Sequence, residues 1–412
     1  MPVVYAFGSN GSGQLGIGHA EDVSQPERCL FHTRTRARSD VSNGGRNPDS
    51  SSRSARQSTP GQGCDVKKIV AGGNHTLLLT TDGRLFVAGK TGMAYDDLAG
   101  EIESKSSVVF EEITHRVSTV AISERNIGVD RVVTDIAASW EASFAVVDSK
   151  IIVGWGIGIK GELGLGPNIT STGGQVKKIF EVDSASSSGE IVEIVDIVGS
   201  MAHVVVFLSD GRVYGWGTCR KGQLGEQLKT EKILWCPRNI GSGVDGEELL
   251  PWVPERAVLG REYTVFVKTG WKPAIWGDAR FFDKNDFQLI VEEDDVVASG
   301  WSSIHILSRT RSEQSLQGAG RNDHGQLPPA SLPPVRTVAA GSEHCVALTR
   351  DNQVIAWGWG EHGNCGETLD QRGNVVDRYN LISLPTLGQE IVTKNVAAGC
   401  ATSFVVCGMK GG

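Results

Sequence analysis

Paired cysteines, long apolar runs and an excess of positive charge are all missing from this 412-residue sequence, and each absence removes a class of function. The eight cysteines (Cys29, Cys64, Cys219, Cys236, Cys345, Cys365, Cys400 and Cys407) are scattered, with no C-x-x-C pair and no Cys/His cluster at metal spacing. They read as reduced thiols of a cytosolic or nuclear protein, not as a disulfide scaffold or zinc module. No apolar run reaches membrane-spanning length. The opening Met1-Pro2-Val3-Val4-Tyr5-Ala6 runs into a strand-like segment without a charged region or signal-like core, so neither leader nor membrane contact is expected. With 40 Lys and Arg against 48 Asp and Glu the formal net charge is -8, which argues against a phosphate backbone as the main partner. No direct nucleic-acid contact is expected, although a local basic patch is still compatible with this balance. There is also no Gly-rich phosphate loop with its Lys, no Ser/His/Asp set and no carboxylate pair standing out from the background. The expectation is a protein that is not an enzyme and holds no cofactor or metal.

What is abundant is glycine: 52 residues, close to twice the ordinary share of about 7%. The glycines fall in a repeat. Its clearest copy runs Ile69-Val70-Ala71-Gly72-Gly73-Asn74-His75-Thr76-Leu77-Leu78-Leu79, then Asp82-Gly83-Arg84, then Leu85-Phe86-Val87-Ala88-Gly89. A second copy, Val338 to Leu348, then Asp351-Asn352-Gln353, then Val354 to Gly358, matches it almost position for position. Aligned on the first turn, the copies are anchored at Gly72, Ser139, Ser200, Gly260, Gly300, Gly341 and Gly399, small residues throughout. The glycine closing the third strand recurs at Gly8, Gly89, Gly156, Gly217, Gly277, Gly320 and Gly358. Each series has seven members, and they are offset. The chain starts with a Gly-closing strand, Val3 to Gly8, and ends with a turn and strand, Gly399 to Val406, that lacks one.

This pattern predicts an all-β, seven-bladed β-propeller forming one domain over 1–412, closed by the N-terminal strand in the last blade so that no sheet edge is left open. The Asp-Gly and Asp-Asn turns at Asp82-Gly83, Asp210-Gly211 and Asp351-Asn352 supply the positive φ of tight hairpins between strands two and three. Spacing between anchors varies from about 40 to 67 residues, against about 40 to 50 in familiar propeller repeats. Excursions from the core are therefore expected at Glu101 to Asp130, Pro167 to Glu190 and Glu226 to Glu255. The largest, 34–63, is rich in Ser and Arg with no apolar pattern and reads as a disordered, basic, phosphorylatable loop insertion.

Together A-G-x-x-H-T-x-x-L, D-G-x-x-x-x-x-G and G-x-x-x-x-G-Q-L-G resemble the repeat of the regulator of chromosome condensation over essentially the whole chain. The third element is carried by Gly8 to Gly16, Gly156 to Gly164, Gly217 to Gly225 and Gly320 to Leu327, and is lost at Gly277 to Phe282. Within that family, a bare propeller of this size is similar to the short fungal alpha-tubulin suppressors, also known from killer-toxin insensitivity. That resemblance implies a heterodimer with a small zinc-ribbon protein of diphthamide synthesis and support of Elongator-dependent wobble-uridine modification of tRNA, in the cytoplasm and also the nucleus. The alternative implied by the family is a guanine nucleotide exchange factor for a nuclear small GTPase. The acidic balance and the absence of a basic N-terminal tail favour the first; the basic Arg34 to Arg56 stretch keeps nuclear contact open.

On a propeller the two residues after each first-turn anchor are free to vary on a flat face around the channel. They are Gly73-Asn74, Trp140-Glu141, Met201-Ala202, Arg261-Glu262, Trp301-Ser302, Ser342-Glu343 and Cys400-Ala401. From these, Trp140, Glu141, Met201, Arg261, Glu262, Trp301 and Glu343 form the candidate partner-binding surface, with aromatic anchors of the kind enriched at interface hot spots. Trp140 and Trp301 either stand exposed at an interface or line the channel wall. Resemblance to the exchange factor would place GTPase contacts on this same face. Trp155, Trp216, Trp276 and Trp357 close third strands and read as blade packing. His75, His203 and His344 share one repeat position and read as structural hydrogen bonding across the blade, since Ala142, Tyr263, Ser303 and Thr402 replace them elsewhere. Trp235, Trp252 and Trp271 are secondary candidate anchors, and Glu292 to Asp295 reads as a solvated loop.

Overall fold

The computed structural model describes residues 2–33, 65–93, 106–120, 131–182, 191–242, 248–282, 290–309, 316–385 and 390–410. The loop expected at 34–63 lies outside them. Strand patterns organise the rest into seven antiparallel sheets. The first blade is built from Val66–Ala71, His75–Thr80, Leu85–Gly89 and Ser107–Glu112, with Phe31–His32 added in parallel at its outer edge. The second uses Val133–Ala138, Ala142–Val147, Ile151–Gly156 and Lys177–Glu181. The third uses Ile194–Gly199, His203–Leu208, Val213–Thr218 and Ile233–Asn239. Three strands each form the fourth (Arg256–Leu259, Tyr263–Val267, Ala274–Gly277) and fifth (Val296–Ser299, Ser303–Leu307, Leu316–Gly320). Val335–Ala340, His344–Thr349, Val354–Trp359 and Asn374–Ile382 make the sixth. Each inner strand packs against that of the next blade, and the last against the first, which closes the ring.

Closure takes the form expected from the offset repeat. In the seventh blade Ile391–Ala398 pairs with Thr402–Met409, which pairs with Val3–Gly8, which pairs in turn with Val23–Arg28. Val3 to Gly8 lie opposite Cys407 to Thr402 without a register break, so six residues from each end of the chain form one antiparallel ladder.

Second strands are apolar almost throughout because a blade is covered on both faces by its neighbours. Leu77, Leu78 and Leu79 are fully buried, as are Val204, Val205 and Val206. Near the axis the blades converge, and the inner strands end in small residues such as Val338-Ala339-Ala340-Gly341, which leave a channel instead of a clash. Five inner strands carry a bulge at one shared register, before Lys68, Asp135, Asp196, Thr337 and Asn395. A bulge re-aims the side chain that follows it. Here it brings Lys68 Nζ to 2.9 Å from Asp135 and 3.5 Å from Asp196, tying three blades together. Burial, and the neighbouring Asp135, push the Asp196 carboxyl above the usual range despite Lys68.

Three expectations are corrected. The supposed excursions at Glu101 to Asp130, Pro167 to Glu190 and Glu226 to Glu255 contain the fourth strands of the first three blades, Ser107–Glu112, Lys177–Glu181 and Ile233–Asn239. The acidic run is not wholly solvated: Asp295 is buried, accepting from the backbone N–H groups of Glu292 and Arg309 at 3.0 Å each. Trp252 packs in the core and is no surface anchor, whereas Trp271 is exposed beneath Lys268. The fifth blade has no fourth strand between Gly320 and Val335, where Pro328, Pro329, Pro333 and Pro334 cannot donate to a ladder.

Candidate functional site: the mouth of the channel

First-turn residues gather where the seven inner strands end. Backbone hydrogen bonds link turn to turn: Gly73 N–H to Trp140 O (2.8 Å), Trp140 N–H to Met201 O (3.2 Å), Arg261 N–H to Trp301 O (3.1 Å), Trp301 N–H to Ser342 O (2.7 Å) and Ser342 N–H to Gly399 O (3.0 Å). Backbone thus holds backbone, and the side chains are left over for other work. Below them lies a cavity of about 370 Å³ lined by small residues and both tryptophans.

Neither alternative for Trp140 and Trp301 holds alone. Both are half-buried, and although they come from the second and fifth blades their rings meet over the mouth, with centroids 5.9 Å apart and planes tilted by 47°. The Arg261 guanidinium lies 5.7 Å from the Trp301 ring. On the other side the Trp140 indole rests on backbone: a Cβ added to Gly73 would fall 2.8 Å from it. Gly73, Trp140, Trp301 and Arg261 form one stack across the channel, an aromatic and cation–π arrangement. Arg261 has no carboxylate partner among the described residues.

Three glutamates surround this stack, each two residues after its anchor. Glu343 accepts from Ser302 Oγ (2.6 Å) and Gln326 Nε2 (3.0 Å). Glu262 pairs with Arg220 (3.2 Å) and Lys221 (3.9 Å). Glu141 has no cationic partner among the described residues, and it lies close enough to Glu162 to help burial raise that carboxyl. The geometry therefore unites Trp140, Met201, Trp301 and Arg261, the Met201 contribution being its carbonyl, and sets Glu141, Glu262 and Glu343 around them.

The same face carries residues that the anchor rule did not reach. Lys221 also meets Asp278 at 3.5 Å, Asp278 pairs with Arg280, and Arg280 and Arg321 lie 5.8 and 5.5 Å from the half-exposed Phe281 ring. They stand in the turns after the third strands; the G-x-x-x-x-G element marked those of Lys221 and Arg321, but not Asp278, Arg280 and Phe281, whose copy has lost it. In that element the Gln of each copy accepts a backbone N–H two residues back: Gln14 from Ser12, Gln223 from Lys221, Gln326 from His324, at 2.9 to 3.0 Å, with Glu162 doing so for Lys160 at 2.6 Å.

Repeat histidines and tryptophans turn out to join blades. Trp216 Nε1 donates to Glu162 O of the preceding blade at 2.6 Å and Trp357 Nε1 to Gln326 O at 3.0 Å, whereas Trp276 is only partly buried, edge-on to Phe266. The histidine bonds run to the next blade, not across their own: His203 Nε2 to Thr264 Oγ1 (3.1 Å) and His344 Nε2 to Ser403 Oγ (3.0 Å). Both ring nitrogens of His75 lack a partner among the described residues. Burial lowers His75, His305 and His344 to about 4 and His203 to about 3, so all four are neutral at physiological pH.

Fold and site together define a closed seven-bladed propeller with an aromatic-plugged channel mouth. The family description "Regulator of chromosome condensation (RCC1) repeat" matches residues 66–92 and 335–364. The chain is similar to the RCC1 repeat in those two segments and has the RCC1-like propeller fold. It is 28% identical to an RCC1 repeat-containing protein of Schizosaccharomyces pombe over 98% of each chain. It is 23% identical to the secretion-regulating guanine nucleotide exchange factor of Mus musculus, over 98% of this chain and 83% of that one. Among solved structures it superposes with a TM-score of 0.69 and 18% identity, covering 99% of this chain and 89% of the other, on a chain from the crystal structure of Kap60 bound to yeast RCC1 (Prp20).

Proposed function

We propose that the chain works by binding partner proteins on the face that carries the channel mouth, and that it acts there as a guanine nucleotide exchange factor for a small GTPase. The observation that carries the reading is the Trp140–Trp301–Arg261 stack ringed by Glu141, Glu262 and Glu343. Aromatic and arginine side chains held by a rigid ring make a hot spot, because little entropy is lost when a partner settles on them. Likeness to a secretion-regulating guanine nucleotide exchange factor over 98% of the chain supports the choice of partner class. In this role the chain breaks no covalent bond; its binding energy opens a nucleotide site on the partner.

A second reading has an observation in its favour. Two indoles, not charged groups alone, occupy the centre of the face, and the net charge is -8. That suits an adaptor of the alpha-tubulin suppressor kind, paired with a small zinc-ribbon protein of diphthamide synthesis and serving Elongator in the cytoplasm.

Release of fluorescent GDP from a panel of purified small GTPases, with and without the propeller, separates the two. Acceleration of one GTPase by at least tenfold, lost when Trp140 and Trp301 are both changed to Ala, supports exchange. No acceleration across the panel, together with a one-to-one complex with the zinc-ribbon protein in size-exclusion chromatography, supports the adaptor.

A further inference from the structure

Beside the channel mouth, the second blade differs from its sisters in one hairpin. After Gly156 the chain continues as Ile157-Gly158-Ile159, folds over at Gly161 to Gly166, and returns through Ile169-Thr170-Ser171. Gly158 N–H donates to Thr170 O at 2.9 Å, Thr172 N–H to Gly156 O at 3.0 Å, and Ile157 bridges Ser171. Ile159 lies in the turn closed by Gly161 N–H on Gly158 O, and Ile169 in the turn closed on Gly166 O, so the hairpin carries Ile157, Ile159 and Ile169 around its outer end. All three project from the protein: Ile157 is 36% exposed, Ile159 64% and Ile169 41%. Ile157 N–H donates to Glu141 O at 2.9 Å, so the apolar strip begins next to Trp140 and leads outward.

The repeat supplies its own control. At the position of Ile159 the sister turns carry Gly11, Gly92, Arg220, Arg280, Asp323 and Glu361; at that of Ile157 they carry Ser9, Lys90, Thr218, Asp278, Arg321 and Trp359. The fold therefore has no need of isoleucine here, and water disfavours it. What the fold does need from the hairpin is met by Leu163, which is fully buried, and by the Glu162 carboxylate on the Lys160 N–H. A contiguous exposed apolar patch without a structural role marks an interaction surface. Its electrostatics indicate what it meets. Glu141 lacks a cationic partner among the described residues, whereas Glu162 beside it, raised mainly by burial, already feels the Lys160 ammonium. An incoming ammonium or guanidinium would give the Glu141 carboxylate the partner it lacks.

We infer that the strip of Ile157, Ile159 and Ile169, with Glu141 at its inner end, docks a short segment of a partner protein that presents two or three apolar side chains beside a lysine or arginine. The inference rests on the protein-binding reading above and is indifferent to whether the partner is a GTPase.

It is tested with two fluorescein-labelled 14-residue peptides of alternating composition, one of Leu and Lys, the other of Leu and Glu, titrated with the full chain and followed by anisotropy. The Leu/Lys peptide is expected to bind. Affinity is expected to fall at least tenfold in Ile159→Asp/Ile169→Asp and several-fold in Glu141→Gln, and to be unchanged in Leu381→Asp, which alters an exposed leucine remote from the strip. Failure of the Leu/Lys peptide to bind, equal binding of the Leu/Glu peptide, or an unaffected isoleucine double variant would overturn the inference. A dimer in light scattering that Ile159→Asp dissolves would overturn it too, in favour of a second copy of this chain. The GTPase assay is run on the same samples: exchange without peptide binding defeats the strip alone, and peptide binding without exchange defeats the exchange reading alone.

Discussion

Lowering the pH from 7.5 to 5.0 is expected to come close to unfolding this propeller, and four buried histidines set the size of the effect. Free histidine titrates near 6.5, but in the fold His75, His305 and His344 are held to about 4 and His203 to about 3 by burial between blades. The unfolded chain therefore takes up protons as the pH falls below about 6.5, while the folded chain does not until about 4. Stability is fully present above the upper bound and drains away between the two. At pH 5.0 each site costs about 2 kcal/mol relative to pH 7.5, and four together cost on the order of 8 kcal/mol. Domains of ordinary stability hold roughly 5–15 kcal/mol, so the loss is comparable with the whole. Urea unfolding followed by tryptophan fluorescence at pH 7.5, 6.0 and 5.0 measures it. The midpoint is expected to fall steeply between 6.0 and 5.0, and the His203→Gln variant, which cannot titrate, is expected to lose about a quarter of that slope. A midpoint that stays constant from pH 7.5 to 5.0 would refute the reasoning, since it would mean that the four rings are charged, or hydrated, in the folded protein.

Three further outcomes follow from contacts already described. Gly8→Ala is expected to cost at least about 2 kcal/mol in the same assay, because Gly8 has φ 113° and its Cβ would fall 2.4 Å from Ala401 O, within the closing ladder. Lys68→Met leaves Asp135 and Asp196 facing each other without their cation and is expected to destabilise by about 3 kcal/mol, less as the pH falls, because the Asp196 carboxyl, raised by burial, takes up a proton before an ordinary carboxylate does. Trp216→Phe removes the bond to Glu162 O and part of a fully buried ring; a loss of about 2 kcal/mol is expected, whereas Trp271→Phe, on the surface, is expected to change stability by under about 0.5 kcal/mol.

Repetition made most of this architecture readable in advance. A turn that needs small residues recurs at Gly72, Ser139 and the other anchors because there the blades converge, and a hairpin that needs positive φ recurs at Gly83 (81°), Gly211 (87°) and Asn352 (61°). The fourth strands escaped notice for the opposite reason. Lys177–Glu181 and Ser107–Glu112 lie at the rim, where most side chains are only half-buried and the apolar residues are no more than two or three in a row, too few to mark a strand. At the site, the anchor rule located turns that meet at the channel mouth, but no local pattern could say that tryptophans from the second and fifth blades would touch. That contact depends on the ring's diameter, which is a property of all seven blades together. The inter-blade direction of the His203 and His344 bonds was hidden likewise, because their hydroxyl partners sit in the blade that follows.

Pairing of Val3–Gly8 with Thr402–Met409 also fixes an order of events during synthesis. About 400 residues separate the partners, and at about 5–20 residues per second a ribosome needs roughly 20 to 80 s to deliver the second after the first. Throughout that interval the Val3–Gly8 strand has no hydrogen-bonding partner on its seventh-blade side, and the ring is an open arc with an inner strand uncovered at each end. Helpers that shield nascent chains would therefore meet this protein as a sequence of blades awaiting their last member, and a stall late in translation would release a species with nearly all of its core and none of its closure.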